Sequence, residues 1–502
     1  MFFPIVLSLL LVLSVYVWQW RRRLCRVFRS IPGPPGLPLV GNTLQLIGKS
    51  STYLFHMLYD LEQLYGSVYK LDTMSGFWLY YNEPEYVERI MTGPEFNCKS
   101  ADYDMLLDWL GTGLLISNGN KWFTHRKALT PAFHFKILEN FVPVFDEKGA
   151  ILAMKFLSHT GGEVPIFPLV KLCTLDVIVE TAMGTVSNAQ SEKSSYTIAV
   201  EDISAIVFWR MFNVVHRNDV LFRLNSKFGS YSRCLRTIRE FTLSIIEKRR
   251  EALTDSDGKG ECLPEETGDV LMGSKKKMAL LDILLQTKID GSPLTNEEIR
   301  EEVDTFMFGG HDTTASAITF LLYSLAKHPD VQQKVYEEII SVAGESSHTP
   351  FTLSTLNDLK YLDLVIKESL RLFPPVPYIS RTSLKEVNLG GVTIPANTKL
   401  SLGIYNMHHN PKYFPEPENF LPERFEAERA AEKQNPYAYV PFSAGGRNCI
   451  GQKFAQYELK STISQVIRLC RVELPYPGYE PPLKAEMILK PQDDMLLKFF
   501  PR

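Results

Sequence analysis

Three short stretches carry residue types that could do chemistry. The first is "PFSAGGRNCIGQKFA", Pro441 to Ala455, where Gly445, Gly446 and Gly451 bracket Cys449 and an apolar, helix-prone run follows. A cysteine just before a helix N-terminus meets free N–H groups and the positive end of the helix dipole, both of which stabilise a thiolate. The glycines let backbone approach a large flat ligand closely, and Arg447 adds positive charge beside the sulfur. Read alone, Cys449 fits a nucleophile served by a histidine such as His408 or His409. It fits equally a buried structural cysteine in a tight turn.

The second stretch is "FMFGGHDTT", Phe306 to Thr314, at the centre of a helical pattern. Adjacent glycines cost a helix about 1 kcal/mol each relative to alanine, and four polar residues follow at once. Thr313 can bond back to the carbonyl of Gly309 or Gly310 and open the ladder. The third is Glu368-x-x-Arg371, whose i, i+3 spacing allows an ion pair on one helix face. On a solvated surface such a pair is worth little.

These stretches need elements to hold them. Thr295 with Glu298 forms a capping-box signal and Pro329 ends the pattern, so a helix of about thirty residues, near 45 Å, carries the second stretch. Ile299, Val303, Phe306, Gly310, Thr313, Ala317 and Leu321 fall on one of its faces. Residues from about 50 to 250 show mostly helical periodicity and few strand signals. Glu386 to Leu402 alternates with turn residues and predicts a small sheet, as does the C-terminal run from Leu474 to Phe500. Thr254 to Lys277 is polar and Gly-rich, a flexible surface loop. The fold class is mainly α with a minor β part.

The chain has 502 residues, 45% hydrophobic and 22% charged, with net charge −3. That composition is ordinary for a globular protein and gives no reason to expect nucleic acid as a partner. Its seven cysteines are scattered, with no CxxC pair and no zinc-finger spacing. They suit a reducing compartment.

Met1 to Trp20 runs without a charge, and "RRRLCRVFR" follows. Twenty residues span roughly 30 Å, the thickness of a bilayer core. A cleaved signal peptide would carry its basic residues first and a small-residue cleavage site after. The order here predicts a signal-anchor, with the chain beyond Arg21, Arg22 and Arg23 on the cytosolic side. "IPGPPGLPLVGN", Ile31 to Asn42, reads as a semi-rigid extended linker. The expected organisation is a transmembrane anchor over 1–20, a basic and proline-rich hinge over 21–42, and one large domain over 43–502.

Phe442-x-x-Gly445-x-Arg447-x-Cys449-x-Gly451 resembles the haem-binding loop of the cytochrome P-450 superfamily of haem-thiolate monooxygenases. Trp122-x-x-x-Arg126, Gly310-x-Asp312-Thr313-Thr314, Glu368-x-x-Arg371 and Phe420-Leu421-Pro422-Glu423-Arg424-Phe425 resemble further motifs of that family, in its order. The anchor and hinge resemble its microsomal members. The resemblance implies a single large haem domain facing the cytosol from the endoplasmic reticulum membrane. It implies haem b with Cys449 as axial iron ligand, since a thiolate donates electron density that favours O–O cleavage. Phe442, Gly451 and Gly310 would flank the haem, and Trp122, Arg126, Arg381 and Arg447 would meet its propionates. Glu368, Arg371 and Arg424 would form a buried structural network.

Thr313 and Asp312 would deliver protons to bound oxygen, in space left by both glycines. Electrons would come from an NADPH-dependent reductase, with cytochrome b5 as a further donor, and this chain would not itself bind NADPH. Lys121, Lys127, Lys453 and Lys460 could give that reductase a basic face, or be ordinary solvated lysines. Parts of Ser100–Asn120, Ile206–Phe228, Phe306–Thr314, Pro374–Ser380 and Met487–Leu489 would line a pocket for a lipophilic substrate. A peroxide isomerase, a dehydratase or a haem sensor is the alternative within the superfamily, and the Asp312–Thr313 pair favours the oxygenase. Glu302 to Thr314 is similar to family four, the fatty-acid ω-hydroxylase branch. Arg126 to Phe141 looks most like animal, including insect, members. Many of those carry glutamate at the position of Gly309, whose carboxylate can form an ester to a haem methyl. Glycine cannot, so the haem is expected to be non-covalent. Terminal hydroxylation is then less strictly enforced, and in-chain or xenobiotic oxidation becomes more plausible.

Overall fold

The computed structural model describes residues 26–191, 194–257, 279–289, 291–344, 346, 349–426 and 435–502, with four isolated positions before residue 26. The expected anchor over 1–20 and most of the polar loop over 254–277 lie outside the described residues. Among the described residues no helix is long and apolar enough to cross a membrane.

The central helix runs Asn296–Lys327 and is capped as its sequence predicts. Thr295 Oγ1 accepts from Glu298 N at 3.2 Å, while Glu298 Oε2 accepts from Thr295 N at 2.9 Å. Pro329 opens the next helix, Pro329–Ala343. The expected single apolar face is too narrow. Between Ile299 and Ala326 every residue is buried except Glu301, Gly309, Gly310 and Thr313. Helices Ile166–Thr181, Lys227–Asp257, Lys360–Leu372 and Gln452–Leu469 pack around it. A helix enclosed on all sides is the core itself, so its one unburied stripe opens inward, onto a cavity.

The β part differs more from expectation. A five-stranded sheet orders Val68–Thr73, Gly76–Tyr81, Lys399–Gly403, Tyr378–Thr382 and Cys98–Lys99. Three of its strands fall where helix was expected. The alternating burial of Val68–Thr73 is a period-2 signal that its residues already carried. Glu386 to Leu402 is not one small sheet. Val387–Leu389 and Val392–Ile394 form a separate hairpin across Gly390 and Gly391, both at positive φ, while Lys399–Gly403 is the middle strand of the large sheet. The C-terminal run also divides. Leu483–Ala485 pairs with Leu489–Pro491, and Leu496–Pro501 lies between Cys470–Glu473 and Val164–Pro165.

The proline-rich segment is docked along this sheet rather than spanning free. Lys70 N donates to Pro32 O at 2.9 Å, Asn42 Nδ2 donates to Pro35 O at 3.1 Å, and Ile31 is buried.

Glu368, Arg371 and Arg424 meet as expected. Arg371 Nε and Nη2 each donate to a Glu368 carboxylate oxygen at 2.8 Å, with both side chains fully buried. Arg424 Nε adds a 2.9 Å bond to Glu368. Arg371 Nη1 donates to the carbonyls of His408 and Pro417, at 2.9 and 2.7 Å. Breaking a buried pair strands a charge, at about 3–5 kcal/mol. Arg371→Met is expected to lose stability of that order in denaturant titration of the holoprotein. Lys334→Met, which removes the exposed partner of Glu423, should change it by no more than about 1 kcal/mol. Equal effects of the two would contradict the network's role.

Candidate active site

The loop from Pro441 to Gly451 is held by its backbone. Cys449 N donates to Phe442 O at 2.9 Å, and Ser443 and Gly445 take positive φ. A Cβ on Gly445 would lie 2.1 Å from Met91 O, so only glycine fits there. Helix Gln452–Leu469 starts directly after Gly451. Cys449 lies deep in the molecule, yet its accessible surface opens onto a cavity of about 420 Å³. Burial raises its thiol above the ordinary value, and the Gly451 N–H with the Arg126 guanidinium offsets this only in part. The thiolate-favouring groups read from the sequence are present, but desolvation outweighs them until a cation faces the sulfur.

Neither histidine considered as a base for a nucleophilic cysteine serves Cys449. His408 Nε2 accepts from Val440 N at 3.1 Å, and burial drives its pKa far down. His409 Nδ1 donates to Tyr405 O at 2.8 Å, with its pKa pushed down to about 3 by burial.

Helix Gly119–Leu129 carries Trp122 and Arg126. It is tied to the central helix where His125 Nδ1 meets Glu302 Oε1 at 2.7 Å. Arg126 clamps the cysteine loop through Asn448, donating to its backbone O at 2.8 Å and its Oδ1 at 2.7 Å. Arg447 stacks on Trp122 with Cζ 4.2 Å from the ring centroid and donates to Asn97 and Asn118. Its Nη1 is buried with no hydrogen-bond partner. Arg381 is almost fully buried and donates to Ser380 O.

Lys99, which sequence reasoning missed, joins these cations on the cavity wall. Burial and the neighbouring Arg381 and Arg447 push its pKa well down. Arg447 is itself lowered to about 10 by burial and by Arg381. Among the described residues none of Lys99, Arg126, Arg381 or Arg447 is paired with a carboxylate. Four clustered cations without a counter-charge call for an anionic ligand. Two propionates beside a flat apolar ring, with a thiolate on its metal, answer that demand, so the residues present fit haem.

Gly309, Gly310 and Thr313 also line the cavity. Thr313 Oγ1 donates to Gly309 O at 2.6 Å, and Thr314 Oγ1 to Gly310 O at 2.7 Å. The two glycines differ in what they do. A Cβ on Gly309 would meet nothing within 4 Å, whereas one on Gly310 would lie 2.5 Å from Ile178 Cδ1. Only Gly309 leaves its space to the cavity. Gly310 lines the cavity through its backbone, and its missing side chain admits the neighbouring helix.

Asp312 does not touch solvent. It is almost fully buried, 3.6 Å from the ammonium of Lys490, which is 3.8 Å from Glu486. Burial alone would raise its carboxyl, but Lys490 and His311 hold it below the usual range. No motif marked Lys490. Of the four lysines expected at a reductase face, Lys460 is buried, bonded to Leu356 O and paired with Asp363, and Lys121 is engaged by Glu301. Lys127 and Lys453 are exposed.

The remaining cavity wall is apolar and comes from the expected segments, among them Leu114, Phe208, Phe212, Val376 and Ile488. Helix Ser51–Tyr65 and the large sheet also contribute, through Leu54, Leu58, Trp78 and Tyr80. These were not anticipated.

A cysteine opening onto a cationic, apolar slot that the glycine turn of the central helix also lines defines a haem-thiolate oxygenase. The chain belongs to the cytochrome P-450 family, whose model matches residues 31–499, and it is a cytochrome P-450 monooxygenase. It is 42% identical to cytochrome P-450 4d2 of Drosophila melanogaster over 99% of both chains. It is 41% identical to cytochrome P-450 4c3 of the same fly over 99% of this chain and 93% of that one. The crystal structure of the cytochrome P-450 DA heme domain shares the fold, with TM-score 0.77 and 23% identity over 94% of this chain and 96% of that one.

The adjacent glycines give a paired test. Gly309→Ala should stabilise by up to about 1 kcal/mol through helix propensity, and Gly310→Ala should cost about 1–3 kcal/mol through overpacking against Ile178. Denaturant titration of both variants reads this, and a reversed order would refute the division of roles.

Proposed function

We propose that this chain is an endoplasmic-reticulum monooxygenase, anchored by residues 1–20, that inserts one oxygen atom from O2 into a fatty acid, a related lipid or a xenobiotic. An NADPH-dependent reductase supplies the electrons, with cytochrome b5 as a further donor, and Lys127 and Lys453 remain available on the surface for docking. The carrying observation is that Cys449, Gly309 and Thr313 face one apolar cavity beside four unpaired cations. The uncharged stretch before Arg21 supports the anchor, and the family-four resemblance of Glu302 to Thr314 supports a lipid substrate.

Bound in this slot, haem supplies a thiolate-ligated iron that activates dioxygen. The polypeptide does the rest. Lys99, Arg126, Arg381 and Arg447 neutralise the propionates, and Arg126 fixes the loop that presents Cys449. The Thr313 hydroxyl hydrogen is committed to Gly309 O, which leaves its oxygen free to accept a bond in the cavity. Asp312, ionised beside Lys490, sits next in sequence; it would pass a proton towards that hydroxyl only after first taking one from the Lys490 ammonium 3.6 Å away. Apolar walls bind the lipid and exclude bulk water.

With no carboxylate at Gly309, the haem is held without a covalent bond. On denaturing electrophoresis haem stain should leave the polypeptide, while Gly309→Glu should retain a fraction of it. Comigration in the unaltered chain would sink the non-covalent assignment.

The reduced, carbon-monoxide-bound protein should show the Soret band of a thiolate-ligated haem, and turnover with reductase and fatty acids should give hydroxylated product by mass spectrometry. Asp312→Asn is expected to keep that spectrum and lose about 100-fold in product formation. Undiminished turnover would remove Asp312 from proton delivery.

A further inference from the structure

We propose that Glu486 is the proton entry of the oxygen-activation step: acting through Lys490, it returns to Asp312 each proton that Asp312 gives up. The inference rests on the oxygenase reading above and adds where the protons come from.

The C-terminal hairpin and the central helix build the arrangement. Strands Leu483–Ala485 and Leu489–Pro491 pair, with Glu486 at the turn between them and Lys490 on the returning strand. Ser316 Oγ donates to Leu489 O at 2.6 Å, which fixes that strand against the helix. Asp312 lies one helical turn before Ser316, so it meets the hairpin on the same face. Lys490 is thereby held between two carboxylates. Its ammonium is 3.6 Å from Asp312 Oδ2 and 3.8 Å from Glu486 Oε2. All three atoms are buried, and among the described residues none has a hydrogen-bond partner.

A clasp built for stability alone closes its hydrogen bonds, because a buried charge without them is costly. Here a shift of about 1 Å brings the ammonium to hydrogen-bond length with either carboxylate. Its three hydrogens let it turn between them. The neighbouring charges keep the relay poised. Lys171 and His311 join Lys490 in holding Asp312 ionised, ready to accept. Glu201 also acts on Lys490 but is itself paired with Lys171, and Lys484 lies 3.9 Å from Glu486.

Glu486 is the member of the trio that reaches water. It lines the main cavity and a second cavity of about 140 Å³. The wall of the second includes Gly48, Lys49 and Ser50, which are exposed just before helix Ser51–Tyr65. Leu54, Phe208, Phe212 and Glu486 line both cavities, and Glu486 alone of the four is polar. Asp312 and Lys490 line neither cavity, and both are almost fully buried. A proton from the surface therefore meets Glu486 first.

Each transfer conserves charge. The Glu486 carboxyl gives its proton to Lys490 while Lys490 gives one of its own to Asp312. The lysine is an ammonium before and after, and the net change is a protonated Asp312 and an ionised Glu486. Glu486 then takes a proton from solvent through the second cavity.

The test uses the full-length holoprotein with its reductase and a fatty-acid substrate. Glu486→Gln should lower product formation by about 10-fold or more and raise its solvent deuterium isotope effect, because the slowed step moves a proton. Substrate affinity by calorimetry and the rate of reduction should stay within about 2-fold, since neither draws a proton from Asp312. Glu486→Asp, which keeps the acid, should recover product, and Lys490→Met should show the same rise in isotope effect. The carbon-monoxide spectrum and thermal midpoint of each variant check that the fold is kept. Lost product with an unchanged isotope effect, a matching loss of substrate affinity, or no loss at all would overturn the relay and leave the oxygenase reading intact. Absence of the thiolate-type Soret band in the unaltered protein would instead overturn that reading.

Discussion

The Glu368–Arg371 ion pair is the constraint from which the active site hangs. Two charges with no solvent exposure are tolerated only because nearly every donor and acceptor is used. Arg371 donates to His408 O, and His408 Nε2 in turn accepts from Val440 N, one residue before the cysteine loop begins. Tyr439 bonds to Lys367 O on the same helix as Glu368. The pair thus fixes where the chain enters Pro441 to Gly451. His408 must stay neutral for its ring nitrogen to accept that bond, and burial beside His409 and Arg371 keeps it so. A histidine that reads in sequence as a candidate base is a structural acceptor.

On the other side of the loop the logic is reversed. Glu368 and Arg371 satisfy each other, whereas Lys99, Arg126, Arg381 and Arg447 have no acid among them. The polypeptide leaves positive charge where a ligand is to bring negative charge. Binding of haem therefore contributes to folding as well as to chemistry, because the ligand relieves a repulsion that the chain alone carries. Arg447 shows this most directly, with one guanidinium nitrogen orphaned and its pKa lowered by its neighbours.

What was legible in the sequence was local or rigidly spaced. The capping box of the central helix, the glycine-bracketed cysteine and the i, i+3 ion pair each sit in one short stretch, and each formed as read. Contacts built from distant segments were not legible. Lys99 and Lys490 lie in no motif, and become important only because folding sets them beside Arg381 and Asp312. The sheet failed for a similar reason. Lys399–Gly403 looks like the end of a local hairpin, yet it pairs in parallel with Gly76–Tyr81, more than three hundred residues away in sequence. Helix burial failed differently: a periodic apolar face predicts one buried stripe, but neighbours on every side inverted the relation, and the unburied stripe faces inward.

That inversion explains the weak turn at the helix centre. "GGHDTT" is weak for two unrelated reasons. Gly310 is demanded by packing, since Ile178 already occupies the place of its side chain. Gly309 is demanded by nothing around it, because the space beside it is empty. A packing glycine fixes the helix against Ile166–Thr181 and so fixes where Thr313 points. A space-giving glycine leaves its room to the cavity. The first is part of the scaffold. The second sets what the cavity can hold.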